Sequence, residues 1–529
     1  MCSGLQSLLA NRDLGDNNSV STGSSSPTNP GVNDSPISKL PPELLVRIFE
    51  HHVTYSVVVC WYQITHVCRH WRALAIETAW LWTTVPTDPH FDNPEWTRIV
   101  LERSRNELLD ITLIATPWKM NLAVYRHISH IRTLSLQYLD VKELEDMVFT
   151  LSVIGDDAKE LEDLQILGCE YDDPQFKLPP TCFRGASKLE CLDLEWVEID
   201  WQMPFLSQIL SHLSLQNMSP ASRPSWAELL GALACMPDLR NLTLKQAFPD
   251  IPARSHTERV HLPCLHQLSV AADIAFQVES FFSHVTFPPL ERVVIGCKEN
   301  DPGSDNYSAA LQSVARMFPP SSYGRFNQLG IEAGESHGFY FLCRTFPNDP
   351  ESGGAIDVAL SPTVDVSTEW TIANIIDNFN FYHSLTHLAI GARGEATSVP
   401  PESLRELFGS MPNLEDISAS NNNALNLIRA LTIPTSHLFG TPVSFPVLRK
   451  IDLRVIDIEH DKEQCDELED ILMARYEYGA EIQTLSLSQC FHISAAVVER
   501  FAHIVMDLNW SEDGISSLIS AMKRERAHR

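Results

Sequence analysis

Positive charge is scarce in this chain: 39 Lys and Arg stand against 68 Asp and Glu over 529 residues, a net charge of −29. A surface of that sign repels phosphate backbones and anionic headgroups, which argues against nucleic-acid binding and against docking on a membrane. The one basic cluster, KRERAHR at residues 523–529, reads as a solvated tail. No C-x-x-C pair occurs among the 12 cysteines, so neither a zinc ribbon nor a disulfide framework is expected, and the thiols suit a reducing compartment. No run approaches the ~18 apolar residues of a membrane span. No basic segment followed by an apolar one opens the chain, so no secretory leader is expected, and Cys2 replaces the glycine that myristoylation needs. Cytoplasm and nucleus are the expected compartments.

What is present changes character along the chain. Residues 1–36 are rich in Ser, Asn, Gly and Pro and have almost nothing to bury, which predicts a disordered tail. From Ile37 the apolar residues take up helical spacing. Ser38 is a candidate cap, Pro41 and Pro42 suit a first turn, and Leu44, Leu45, Ile48 and Phe49 follow as a stripe. A second apolar stretch runs from Val57 to Cys68, and a third, WRALAIETAWLW, carries Trp71, Leu74, Ala75, Trp80 and Trp82. Three short helices make a marginal core that leans on a partner or a neighbouring domain.

LPPELLVRIF followed by ITHVCRHWRALAIETAWLW resembles the F-box, whose pattern is Leu-Pro-x-Glu-Leu-Leu-x-x-Ile-Phe, then Val-Cys-Arg-x-Trp-Arg-x-Leu-Ala, closing on Leu-Trp. The resemblance covers residues 37–85, with a longer spacer between Phe49 and Val67 than many F-boxes have. It implies a three-helix module that presses apolar side chains against a Skp-type adaptor and, through it, joins a cullin. Carried over residue by residue, the contacts would come from Leu40, Pro41, Glu43, Leu44, Leu45, Ile48, Phe49, Val67, Cys68 and Trp71. From the residues alone, Leu45, Ile48 and Trp71 could equally pack the three helices together.

Beyond Trp96 the recurring signature is L-x-x-L-x-L. It appears as Leu108-Ile111-Leu113, Ile131-Leu134-Leu136, Leu189-Leu192-Leu194 and so on to Ile482-Leu485-Leu487, with a weaker unit at Ile356 to Leu360. The alternation predicts strands with one buried face, and helical segments such as Trp226 to Met236 lie between them. One such unit cannot bury its own apolar face, whereas stacked neighbours can. The pattern resembles the leucine-rich-repeat class of F-box proteins. The expected fold is α/β: a disordered tail at 1–36, a three-helix F-box at 37–85, a curved leucine-rich-repeat solenoid with a mainly parallel sheet at 86–510, and a helix or basic tail at 511–529. Polar residues flanking the buried L-x-L, among them Thr133, Ser135, Gln137, Asp193, Lys245 and Asp452, read as a solvated sheet face, and none is singled out for substrate.

Signs of bond chemistry are few. Gly334-Glu335-Ser336-His337-Gly338 matches the G-x-S-x-G nucleophile elbow of serine hydrolases, between a predicted strand and FYFLCRTF, which could start a helix. A repeat unit supplies the same strand–turn–helix setting, so Ser336 is expected on a surface turn with no His/Asp pair beside it. His66 and His70 flank Cys68 at a spacing that can hold zinc, but the F-box resemblance already accounts for that stretch. No nucleotide-binding glycine motif is present. DKEQCDELED at 461–470 reads as the solvated side of a helix holding Leu468, Ile471 and Leu472. The expectation is a non-catalytic protein without metal or cofactor: a substrate-recognition adaptor of a cullin-based ubiquitin ligase. The alternatives are an F-box/leucine-rich-repeat scaffold without a ubiquitin role and, third, a hydrolase using Ser336.

Overall fold

A computed structural model describes residues 37, 40–55, 61–85, 94–114, 124, 126–138, 141–154, 158–169, 176–183, 185–203, 206, 209–250, 259–299, 306–318, 326–333, 339–344, 355–360, 368–392, 398–433, 443–456, 462–490 and 493–510. The expected tails at 1–36 and 511–529, and Ser336, lie outside these. The chain divides into two compact units, Met1–Thr78 and Ala79–Arg529.

In the first unit, α1 is Pro42–Tyr55, a 3-10 turn covers Trp61–His66, and α2 is Arg69–Glu77. Pro42 occupies the first helical position, where its missing N–H costs nothing. Leu45, Phe49, Ile64 and Ala75 form the small core.

The second unit is mixed α/β around one 17-stranded sheet. Its strands are β1 Thr84–Val85, β2 Leu109–Ile114, β3 Ile131–Gln137, β4 Asp163–Leu167, β5 Cys191–Glu195, β6 His212–Gln216, β7 Asn241–Lys245, β8 Gln267–Ile274 and β9 Arg292–Glu299. They continue with β10 Gln328–Ala333, β11 Phe339–Arg344, β12 Ala355–Leu360, β13 His387–Ala392, β14 Asp416–Ser420, β15 Lys450–Arg454, β16 Thr484–Ser488 and β17 Asp507–Trp510. From β1 to β9 each strand pairs parallel with the next in sequence, and the same holds from β13 to β17. The L-x-L residues face inward, as alternation requires: Leu192 and Leu194, Leu213 and Leu215, and Leu485 and Leu487 are all buried.

Between the two runs the order inverts. β9 pairs with β12, β12 with β11, β11 with β10, and only then β10 with β13. The two pairings of β11 are antiparallel; all others in the sheet are parallel. FYFLCR is therefore a strand, not the start of a helix, and its buried Phe341 and Cys343 alternate with Leu342. The stretch around Ser336 joins two antiparallel strands, so the strand–turn–helix setting expected there is corrected. The unit at Ile356 to Leu360 is a sheet strand as expected, but next to β9 rather than after β10.

The helices are α3 Pro94–Ser104, α4 Val141–Ile154, α5 Trp226–Ala234, α6 Ala275–His284, α7 Asn306–Met317, α8 Thr368–Asn378, α9 Pro401–Phe408, α10 Asn422–Ala430, α11 Lys462–Glu477 and α12 Ala495–Ala502. From α6 to α12 each packs against the next. Ser225 starts α5 through a capping box: Glu228 N–H donates to its Oγ at 3.3 Å, and its own N–H donates to Glu228 Oε2 at 2.8 Å. α11 buries Cys465 and Leu468 from the acidic stretch with Ile471 and Leu472 beyond it, and Arg500 of α12 pairs with Asp466 and Glu469 on its solvated side.

Within the second unit, backbone bonds stitch neighbouring strands together beyond the ladders. Ser211 and His212 N–H both donate to Glu190 O, and Arg240 and Asn241 N–H both donate to Ser211 O, at 2.8–3.0 Å. At the other end of the strands Tyr138, Trp196, Asn217, Gln246, Asn421, Val455 and Gln489 turn the chain with φ of 51–58°. Such a left-handed residue aims its N–H at the neighbouring strand: Asn217 N–H donates to Lys245 O and Gln246 N–H to Ala271 O. At Gly168 a Cβ would lie 2.8 Å from the Trp196 carbonyl oxygen, so only glycine fits.

Candidate protein-interaction sites

The first unit separates its apolar residues into two sets. Leu45 and Phe49, four apart on α1, are fully buried, and the Phe49 and Trp71 rings meet edge-on at 5.0 Å. Leu44 and Ile48, one position back on the same helix, are 47% and 42% exposed, and Val67 is 60% exposed. Pro41, Glu43 and Cys68 are exposed as well, while Leu40 and Trp71 are half-buried. Of the ten residues expected at a partner surface, Leu45 and Phe49 thus serve the core. Leu44 and Ile48 form a bare apolar ridge beside Pro41.

Local bonds tie the 3-10 turn to α2. Cys68 caps α2 by accepting from Trp71 N–H at 3.4 Å, which gives the Cys68 side chain a structural use. Arg72 Nε donates to Thr65 O at 2.8 Å, and Thr65 Oγ1 donates to Tyr62 O at 2.6 Å, fixing the 3-10 turn against α2. His66 and His70 are exposed, and no group of three His, Cys, Asp or Glu among the described residues could hold a metal ion.

The second unit offers a different surface. On the sheet face carrying Ser135, Gln165 and Asp193 a cavity of about 620 Å³ spans β3 to β9. Its floor is a side-chain network running across strands. Gln137 Nε2 donates to Ser135 Oγ at 2.9 Å, Ser135 Oγ to Gln165 Oε1, and Gln165 Nε2 to Asp193 Oδ2 at 3.0 Å. Asp163 lies in the next row, opposite Cys191. Burial and the Asp193 charge push its carboxyl above the ordinary range, and His212 partly opposes them. Thr133, Ser135, Asp193, Asn241, Thr243 and Lys245 of the sequence-predicted sheet face line this cavity, whereas Asp452 lies elsewhere, tied to Arg454 and Ser488. Asp163 and Gln165 escaped sequence reading. Their one signal is DLQIL, where the positions flanking the buried Leu164 hold an acid and an amide.

Residues 37–85 match the F-box-like family. That match supports an F-box protein, and F-box domains typically bind Skp-type adaptors. No curated protein matches the chain. The family match and the compact units end differently: Leu81 and Trp82, the closing Leu-Trp of the motif, are buried in the second unit. There the Trp82 ring lies 5.9 Å from Trp96 and 4.4 Å beneath the Arg103 guanidinium. No helix among the described residues is long and apolar enough to cross a membrane.

Proposed function

We propose that this protein is the substrate-recognition adaptor of a cullin-based, SCF-type ubiquitin ligase, with the ridge of Leu44 and Ile48 docking the Skp-type adaptor. The carrying observation is the exposure of these two side chains on a helix whose adjacent positions, Leu45 and Phe49, are buried, within residues that match the F-box-like family. A small unit with so few buried side chains gains little by leaving two aliphatic groups in water unless a partner covers them. The second unit is read as an irregular leucine-rich-repeat solenoid, supported by the parallel strands, the packed helices and the left-handed turn after many strands. It would hold substrate so that a lysine sits near the charged conjugating enzyme, in the cytoplasm or nucleus. The gain is effective concentration, and the protein itself makes and breaks no bond. The antiparallel strands on either side of the Ser336 stretch weigh against a nucleophile elbow, which needs a strand followed by a helix.

The test is calorimetric binding of the full chain to purified Skp-type adaptor, followed by reconstituted ubiquitination with cullin. Binding is expected for the unmutated chain and lost in Leu40→Ala/Pro41→Ala, with both melting transitions unchanged. No binding by the unmutated chain would overturn the adaptor reading. Binding without ubiquitin transfer to any bound protein would leave an interaction scaffold.

A further inference from the structure

The network under the cavity has a direction. Gln137 gives to Ser135 and Gln165, Ser135 gives to Gln165, and Gln165 gives to Asp193, so donors are consumed step by step and the run ends on a carboxylate. Asp193 Oδ1 is buried and accepts from nothing among the described residues. A buried acceptor left without a partner is destabilising, more so when charged. One row away, no hydrogen bond or ion pair to the Asp163 carboxylate is found among the described residues, and its nearest charged neighbours include Asp193 itself. Two acids therefore line one cavity and repel each other, and His212 offsets part of that repulsion at Asp163.

Of the basic groups on the same lining, Arg292 lies four strands beyond that of Asp193, and His212 acts on Asp163 without a hydrogen bond or ion pair to it. His212 Nδ1 is engaged with Ser211 Oγ at 2.7 Å. Lys245 sits two strands beyond Asp193 and in the next row, about 12 Å away at ordinary strand spacing and rise. That leaves Lys245 available to an acceptor on the occupant, such as a main-chain carbonyl.

We propose that this face is the docking site for an extended polypeptide segment of the substrate, and that a lysine or arginine side chain of the segment lies between Asp163 and Asp193. The inference rests on the adaptor reading for the word substrate, though not for the chemistry. An ammonium or guanidinium brings the N–H donors that the Asp163 carboxylate lacks and a charge opposite to both acids. A cavity of about 620 Å³ admits a whole side chain with its flanking main chain, more than an ion needs. Hydroxyls and amides on the walls, such as Ser214, Asn241 and Thr243, suit the main chain of an extended peptide better than an apolar ligand. A net charge of −29 further draws basic segments to the protein.

The experiment presents the purified full chain with an immobilised library of degenerate peptides, each with one fixed central residue: Lys, Arg, Ala or Glu. Spermidine is run as a competitor. Peptides with central Lys or Arg are expected to be retained about tenfold over those with Glu, the size of one charge-assisted contact. The preference is expected to collapse to within about twofold in Asp163→Asn/Asp193→Asn, which keeps shape and hydrogen-bonding capacity. A melting scan of the variant, and its calorimetric binding to Skp-type adaptor, are expected to show a folded protein with normal adaptor affinity. No basic preference overturns the proposal, as does a preference that survives the double variant. Spermidine retention without any peptide preference also overturns it, in favour of a small polycation. Because the library needs no Skp-type adaptor, failure of the adaptor reading appears in the calorimetry alone and leaves this result legible.

Discussion

The Trp71 indole meets the Phe49 ring edge-on, with centroids 5.0 Å apart, and this contact joins α1 to α2 at the centre of the first unit. Leu44 and Ile48 take no part in that core, so folding and the proposed docking rest on different side chains of one helix.

Substitution can therefore separate the two. Phe49→Ala is expected to cost about 3–5 kcal/mol of stability in that unit, the usual result for a buried aromatic. Leu44→Ala and Ile48→Ala are each expected to change stability by less than about 0.5 kcal/mol, as surface substitutions do. Each is expected to weaken binding to a Skp-type adaptor by about 2 kcal/mol, roughly thirtyfold. Calorimetry paired with thermal melting measures both effects on the same samples.

Asp163 gives a pH signature. Burial and Asp193 raise its folded-state carboxyl above the ordinary 3.8, so in the window just above that value the folded chain holds a proton that the unfolded chain has released. Stability from this group is thus present at the acid end and lost as pH rises through the raised value. Asp163→Asn is expected to be more stable than the parent at neutral pH, with the difference shrinking on acidification through that window. Urea midpoints measured at several pH values would reveal a constant difference if Asp163 does not titrate in this way.

Arg475 is fully buried in α11 and donates to the Ser444 and Phe445 carbonyls at 3.0 and 2.7 Å. Burial lowers its guanidinium to about 10, still charged at neutral pH. Arg475→Met is expected to cost about 3 kcal/mol because two buried carbonyls lose their donors. Arg475→Lys is expected to recover part of this through a single donor. Chemical denaturation with near-ultraviolet circular dichroism would follow the loss.

Thiol chemistry offers a check on burial. Cys182 and Cys490 are buried, hydrogen-bonded to the Val148 and Leu453 carbonyls, and their thiols are pushed up to about 11. Cys68 and Cys235 are exposed. Native alkylation at pH 8 is expected to label Cys68 and Cys235 quickly and leave Cys182 and Cys490 untouched until the protein is denatured, since the thiolate is the reacting form. Peptide mass spectrometry resolves the four.

The alternation of Leu192 with Leu194, or Leu485 with Leu487, announces a half-buried strand, and nearly every such strand is where its pattern predicts. Phe339–Arg344 escaped because it lacks the repeat pattern and takes its partners in the reverse sense, which depends on residues far along the chain. At the left-handed turn position the residue type is no guide: Trp196, Gln246 and Val455 all adopt it, held by the bonds to the next strand rather than by their own preference. The helical period picks out Leu44, Leu45, Ile48 and Phe49 together, and only packing by Trp71 decides which pair faces inward. The network at Asp193 was hidden for a similar reason. Gln165 and Asp193 are 28 residues apart, and no local pattern aligns them.

The inverted order of β10, β11 and β12 interrupts the one-after-another pairing of the strands. Elsewhere neighbouring strands are joined by a few dozen residues at most, so each new unit can add to a finished edge. At the inversion Thr386 reaches Asn327 across 59 residues, and β9 finds its partner in β12 only after two intervening strands have been made. Closing that longer loop costs entropy before any pairing returns it, and the three inserted strands must dock as a block. Energies of units on the two sides then need not add as those of independent nearest neighbours do. A chain halted between Glu299 and Ala355, by a stalled ribosome or a protease, would expose the raw edge of β9, and one halted between Leu360 and His387 that of β10.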